Sequence, residues 1–165
     1  MKRLVCDTGP LNYLIQIEAV ELLPVLFQQI LIPDSVYHEL MASAAPAQVR
    51  AWSRQLPSWC LIHSANRKLE GDFYGLSQAD LEVLSIARET KAGVLLDDLA
   101  ARKAARHLGL PLLGTLGLLE LAANRKLLSL AEAVSRLQQT NIRISEDLYY
   151  EVLRRNNSGD NPENG

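Results

Sequence analysis

Short apolar runs alternate with stretches of helical spacing along this chain, and turn residues fall between them. Leu4-Val5-Cys6 is an apolar run that stops at Asp7-Thr8-Gly9-Pro10. A short apolar run bounded by turn residues reads as a buried strand. Asp7 or Thr8 can cap the helix that follows, with Pro10 in its first turn. From Leu11 to Gln29 the apolar positions keep helical spacing, with Pro24 near the start of a second short helix. Ile30-Leu31-Ile32, closed by Pro33, predicts a second strand, and Asp34 or Ser35 caps a helix carrying Val36, Leu40 and Met41. A further helix is predicted through Trp52, and Trp59 to His63 reads as a third strand. Ser77 opens a long helix with Asp80 three residues on, a variant of the capping box. Gly93 is expected to end that helix. Val94-Leu95-Leu96 then forms a strand with Asp97-Asp98 at its carboxyl end. A helix from Ala100 to His107 stops at Gly109, and Pro111-Leu112-Leu113 is a last short strand. Helices are predicted over 116–123, 130–138 and 145–154, and the Asn/Gly/Ser-rich end, 156–165, reads as a disordered tail.

Alternation of buried strands with helices predicts an α/β protein with a mostly parallel central sheet and helices on both faces, an α/β/α arrangement in three layers. No repeat or internal boundary divides residues 1–155, so one domain is expected. Its 165 residues bury roughly 70% of the unfolded surface, enough for a core without disulfides or a structural metal. The charge balance, 17 basic against 19 acidic residues, argues against a nucleic-acid-coating protein but leaves room for a local basic patch. Cys6 and Cys60 form no CxxC pair and no disulfide framework, which suits a reducing compartment. Asp7 interrupts the first apolar run too early for a signal peptide. No stretch reaches the ~20 apolar residues of a membrane span, so a cytoplasmic protein is expected.

In parallel sheets ligands bind outside the carboxyl ends of the strands, which makes the acids there informative. Asp7 ends the first strand and Asp97-Asp98 the fourth. Glu39 lies about a turn into the helix after the second strand, and Asp80 lies in the first turn of the long helix. Carboxylates converging without matching Lys or Arg repel one another, so they take up protons or recruit a cation. A hard divalent ion such as Mg²⁺ suits such donors. The few cysteines and scattered histidines do not suggest zinc. Each acid also has a plainer reading: Asp7 as a helix cap, Glu39 as a solvated helical acid, Asp80 as part of the Ser77 cap, and one of Asp97 and Asp98 as a cap.

The chain resembles a PIN domain, of the kind found in VapC-type toxin ribonucleases of bacterial toxin–antitoxin modules. The residues that carry the likeness are Val5 to Leu11, Pro33 to Leu40, Leu76 to Leu84, Val94 to Arg102 and Leu110 to Gly117. Their order and spacing are more specific than any one of them. The resemblance implies an acidic quartet of Asp7, Glu39, Asp80 and Asp98, serving as catalytic residues and metal ligands. Asp98 is preferred to Asp97 because its separation from Asp80, 18 residues, fits the family. Thr8 is placed to hydrogen-bond a carboxylate or phosphate. Thr115 stands where many relatives carry a further acid or polar residue, and Gly114-Thr115-Leu116-Gly117 resembles a less characterised PIN subgroup.

The function this implies is Mg²⁺- or Mn²⁺-dependent cleavage of single-stranded RNA, with a small antitoxin protein as partner and a homodimer as the assembly. The apolar helices over 11–26 and 116–130 offer faces for that dimer. Arg102, Lys103 and Arg106 share one helix near the acids and are candidate contacts for RNA phosphates. A solvated basic face is the plainer reading of that trio. Two rival functions remain: a catalytically silent PIN-like module that binds RNA or protein, and another Mg²⁺-dependent phosphate-ester enzyme.

Overall fold

A computed structural model describes residues 1–158. The strands are β1 (Arg3–Cys6), β2 (Gln29–Pro33), β3 (Cys60–His63), β4 (Gly93–Leu95) and β5 (Leu112–Leu113). They form one sheet in the order β3-β2-β1-β4-β5, and every pairing is parallel. The central strand β1 pairs Leu4 with Ile30 on one side and with Gly93 on the other. Leu4, Val5 and Cys6 are fully buried, because a central parallel strand is covered on both faces and so must be apolar throughout.

The helices are α1 (Thr8–Gln16), α2 (Leu22–Leu26), α3 (Asp34–Met41), α4 (Ala47–Arg54), α5 (Gln78–Thr90), α6 (Leu99–His107), α7 (Thr115–Asn124), α8 (Leu130–Gln138) and α9 (Glu146–Ser158). α5 packs on β1, β2 and β4 through Val83, Leu84, Ile86 and Ala87, all fully buried. Each large side chain buried this way contributes about 1.5–3 kcal/mol. α1, α3 and α4 pack on one another, while α7 rests on β5 and carries α8 and α9. The result is a three-layer α/β/α fold. Among the described residues no helix is long and apolar enough to cross a membrane.

Three boundaries differ from those predicted. The helical pattern over 11–29 breaks at Glu18, which adopts φ 59°. Ala19 N–H bonds to Leu14 O and Glu18 N–H to Ile15 O, the double bond that closes a helix on a left-handed residue. Gln29 then belongs to β2 rather than to a helix. Lys91, not Gly93, ends α5: it takes φ 54°, and Ala92 N–H bonds to Ala87 O. Gly93 is thereby freed to begin β4. Third, α9 runs to Ser158, so positions 156–158 are helical rather than tail. Arg155 anchors this last turn to Glu120 of α7 and Glu151 of α9. Positions 159–165 of the expected tail lie outside the described residues.

Candidate functional site

The strand order reverses beside β1. From β1 the chain moves outward to β2 and β3, then crosses back to place β4 on the other edge of β1. Such a switch point opens a crevice at the carboxyl ends of the two strands. Asp7 follows β1 there, and its N–H extends the ladder to Leu95 O, at 3.1 Å. Asp97 and Asp98 follow β4. Glu39 reaches the same end of the sheet from α3, and Asp80 from the first turn of α5.

Asp7 is half-buried, and its pKa is pushed up from 3.8 to about 7. Burial is the largest cause, and the charges of Asp80, Glu39 and Asp97 add to it. The Thr8 main-chain N–H pulls the other way. Asp7 caps α1 by position but makes no side-chain capping bond, so capping does not account for the residue. Thr8 donates its hydroxyl to Glu39 Oε2, which ties α1 to α3 and aims that acid. Asp80 is 7% exposed. Its Oδ2 accepts the Ser77 N–H at 2.8 Å while its own N–H bonds to Ser77 Oγ at 3.1 Å. The capping box therefore holds the Asp80 side chain in place while its charge still reaches Asp7.

Of the two adjacent acids, the structure turns Asp97 and not Asp98 toward the cluster. Asp98 is the N-cap of α6, and its Oδ2 accepts the Ala101 N–H at 3.0 Å. Its charge is not among those that raise Asp7. A helix starts at the next residue and engages the Asp98 side chain, whereas the charge of Asp97 reaches Asp7. Asp97 is held by Thr115, whose N–H bonds to Oδ1 at 2.8 Å and whose hydroxyl bonds to Oδ2 at 2.5 Å. Thr115 is 1% exposed and begins α7, so the Asp97 carboxylate also meets the positive end of that helix. A side chain at position 114 would displace the Arg102 guanidinium. A Cβ would stand 2.5 Å from Arg102 Nη1 and 3.1 Å from Asp97 Oδ1.

Arg102 is half-buried beside this corner and donates to Leu96 O at 2.9 Å. Lys103 and Arg106 are exposed on α6, and no contact links them to the acids. Sequence reasoning passed over Tyr13. Its pKa is raised by burial and then by the charge of Asp97, which puts the phenol of α1 within electrostatic reach of the cluster. The available signal was its place on the helix that Asp7 opens.

Among the described residues no three carboxylate, imidazole or thiol groups are already gathered around one point. The donors are nonetheless all hard oxygens, close enough to raise the proton affinity of Asp7 and free of ion pairs with Lys or Arg among the described residues. That donor chemistry fits a divalent cation that keeps much of its water and needs one or two direct carboxylates.

Comparison with solved structures matches a PilT N-terminus domain protein from the hyperthermophilic archaeon Sulfolobus solfataricus P2. The TM-score is 0.48 at 12% identity, over 87% of this chain and 99% of that one. Comparison with curated protein sequences gave no match. The sequence profile of DUF3368, described as a PIN domain, matches residues 3–158. That span holds every strand and helix described above and all the acids of the crevice, and by it the chain belongs to the PIN-domain family.

Proposed function

We propose that this protein is a metal-dependent endoribonuclease that cleaves single-stranded RNA, with Mg²⁺ or Mn²⁺ as its cation. PIN domains are generally nucleases that use divalent cations. The observation that carries the reading for this chain is the set of four carboxylates at the switch point, with the pKa of Asp7 raised to about 7. A group perturbed this far by burial and like charges in a crevice marks a functional site.

Asp7, Glu39, Asp80 and Asp97 would hold the cation. When bound, it supplies charge neutralisation at the phosphodiester and lowers the pKa of an attacking water. The chain's own part is positioning. Thr8 aims Glu39, the Ser77 capping box sets Asp80, and Thr115 fixes Asp97. Near neutral pH Asp7 carries a proton for about half the time, and it must give up that proton to become a ligand. Cation binding to the metal-free site should therefore strengthen as pH rises through neutrality. Arg102 lies where it can neutralise a phosphate next to Asp97.

We read the protein further as the toxin of a toxin–antitoxin module, acting in the cytoplasm against a small antitoxin. The support is the VapC-like run of residues 5–11 and 33–40 together with two free, buried cysteines. A homodimer is supported by apolar side chains left outside, Val25 on α2 at 62% exposure and Leu127 in the bend between α7 and α8 at 42%. A monomer by light scattering at micromolar concentration would overturn that assembly.

The test of the activity is cleavage of fluorescent single-stranded RNAs by purified, antitoxin-free protein with Mg²⁺, with Mn²⁺ and with EDTA. Asp7→Asn is assayed beside it. Metal-dependent cleavage lost in the variant supports both reaction and site. Cleavage that survives Asp7→Asn refutes the site. No cleavage and no Mn²⁺ binding by calorimetry refutes the enzyme and leaves a silent binding module.

A further inference from the structure

Two cavities each take in one acid of the crevice, and one stretch of chain walls both. The first, of about 500 Å³, takes in Thr8 and Glu39 together with Asn12, Gln16, Gln139 and Asn141. The second, of about 420 Å³, takes in Asp97 and Thr115 and runs past Arg102, Arg143 and Arg155. The shared wall is the connector between α8 and α9, residues 139–144. The two cavities differ in chemistry. The first carries four side-chain amides and no cation on a partly apolar wall. Within it Gln16 Nε2 donates to Asn12 Oδ1 at 2.8 Å, leaving Gln139 and Asn141 as its amides without such a mutual bond. The second has an apolar floor that includes Leu112, Ile142 and Ile144 under its arginines. Arg155 is committed to Glu120 and Glu151, whereas neither Arg102 nor Arg143 forms an ion pair among the described residues.

We propose that the connector 139–144 is the RNA-positioning wall of this enzyme. In this assignment the strand crosses the acids with flanking nucleotides in both cavities. The amide cavity reads base edges, and Arg143 with Arg102 takes the backbone phosphate on the Asp97 side. The proposal rests on the nuclease reading and adds to it where the substrate lies and what selects it. Amides carry donors and acceptors on one group, as the Watson–Crick edges of unstacked bases require. Guanidinium groups without a carboxylate partner, over an apolar floor, suit a phosphate beside a base.

Binding of fluorescein-labelled single-stranded RNA is measured by anisotropy in the Asp7→Asn background with Mg²⁺, across a salt series. Arg143→Gln should weaken binding roughly three- to ten-fold at low salt. It should also reduce the log–log salt slope by about 0.7, the loss of one phosphate contact on a single strand. Lys126→Gln, in the turn just beyond α7, controls for general charge and should leave the slope unchanged. Asn141→Ala should change the order of affinity among the four homopolymers and leave the slope alone. A wild-type slope in Arg143→Gln, or a slope equally reduced in Lys126→Gln, overturns the phosphate assignment. An unchanged homopolymer order in Asn141→Ala overturns the reading of bases by the amides. If the parent protein cleaves RNA and these variants behave as it does, the wall is wrong and the nuclease reading stands. If the parent neither binds nor cleaves RNA, both fall.

Discussion

Replacing Asp7 by Asn should make the metal-free protein more stable at pH 8, and the size of the gain follows from its surroundings. Asp and Asn are about equally good at a helix N-cap, so the exchange removes charge and little else. The folded pKa of Asp7 is about 7 against 3.8 for an unperturbed carboxyl. Below pH 4 both folded and unfolded chains carry the proton, and the group costs nothing. As pH rises from 4 to 7 the unfolded chain ionises freely while the folded one resists, so stability falls across that window and levels off above it. At 1.36 kcal/mol per pH unit the loss has a ceiling of about 4 kcal/mol. Water reaching a half-buried group brings the working figure to about 2–3 kcal/mol. In a chain of this size that is about 5–10 °C in Tm. Urea unfolding of wild type and Asp7→Asn in EDTA, from pH 4 to 8, measures it. The two curves should agree near pH 4 and separate as pH rises, with the variant above. Excess Mg²⁺ or Mn²⁺ should then raise wild type and leave the variant nearly unchanged. A variant no more stable than wild type at pH 8 refutes the reasoning and returns Asp7 to the role of a helix cap.

Three further outcomes follow from the same geometry. Asp97→Asn should abolish metal-dependent cleavage and weaken Mn²⁺ binding by calorimetry, whereas Asp98→Asn should keep both, because Asn caps α6 as well as Asp does. The reverse pattern would restore Asp98 to the site. Thr115→Val removes the hydroxyl bond to Asp97 and should weaken Mn²⁺ binding roughly 10- to 100-fold, with Thr115→Ser restoring most of it. Equal affinities in the Val and Ser variants would show that the hydroxyl does not position Asp97. Burial pushes the Cys60 thiol up to about 12 and raises Cys6 well above its ordinary value. Both should therefore resist alkylation at pH 8 until the protein is unfolded, and labelling of the native protein would contradict this.

How far the chain could be read in advance depended on whether a feature was local. The central strands were legible because β1, β2 and β4 are covered on both faces and must be apolar without alternation. The Ser77–Asp80 capping box was legible because both partners lie within one turn. The ends of α1 and α5 were not. Glu18 and Lys91 take the left-handed conformation that glycine usually supplies, and nothing in a glutamate or a lysine announces it. The choice between Asp97 and Asp98 needed the path of the backbone. One residue decides whether a carboxylate faces the turn after β5 or caps α6, and the spacing to Asp80 says nothing about that. Thr115 stands where many relatives carry a further acid or polar residue. Its work, holding the neighbouring strand's acid, becomes visible only once β4 and β5 are paired.

The strand order also sets a timetable. Asp7 and Glu39 leave the ribosome early, but the edge of β1 that completes the crevice stays vacant until β4 arrives, and the clamp on Asp97 waits for Thr115. During synthesis the emerging chain therefore carries part of the acidic crevice and not the whole of it. Parallel pairing over this sequence distance closes late, because the loop entropy must be met before the contact forms. For the ribonuclease proposed above, a site whose last corner comes from the second half of the chain stays incomplete until the domain is nearly finished.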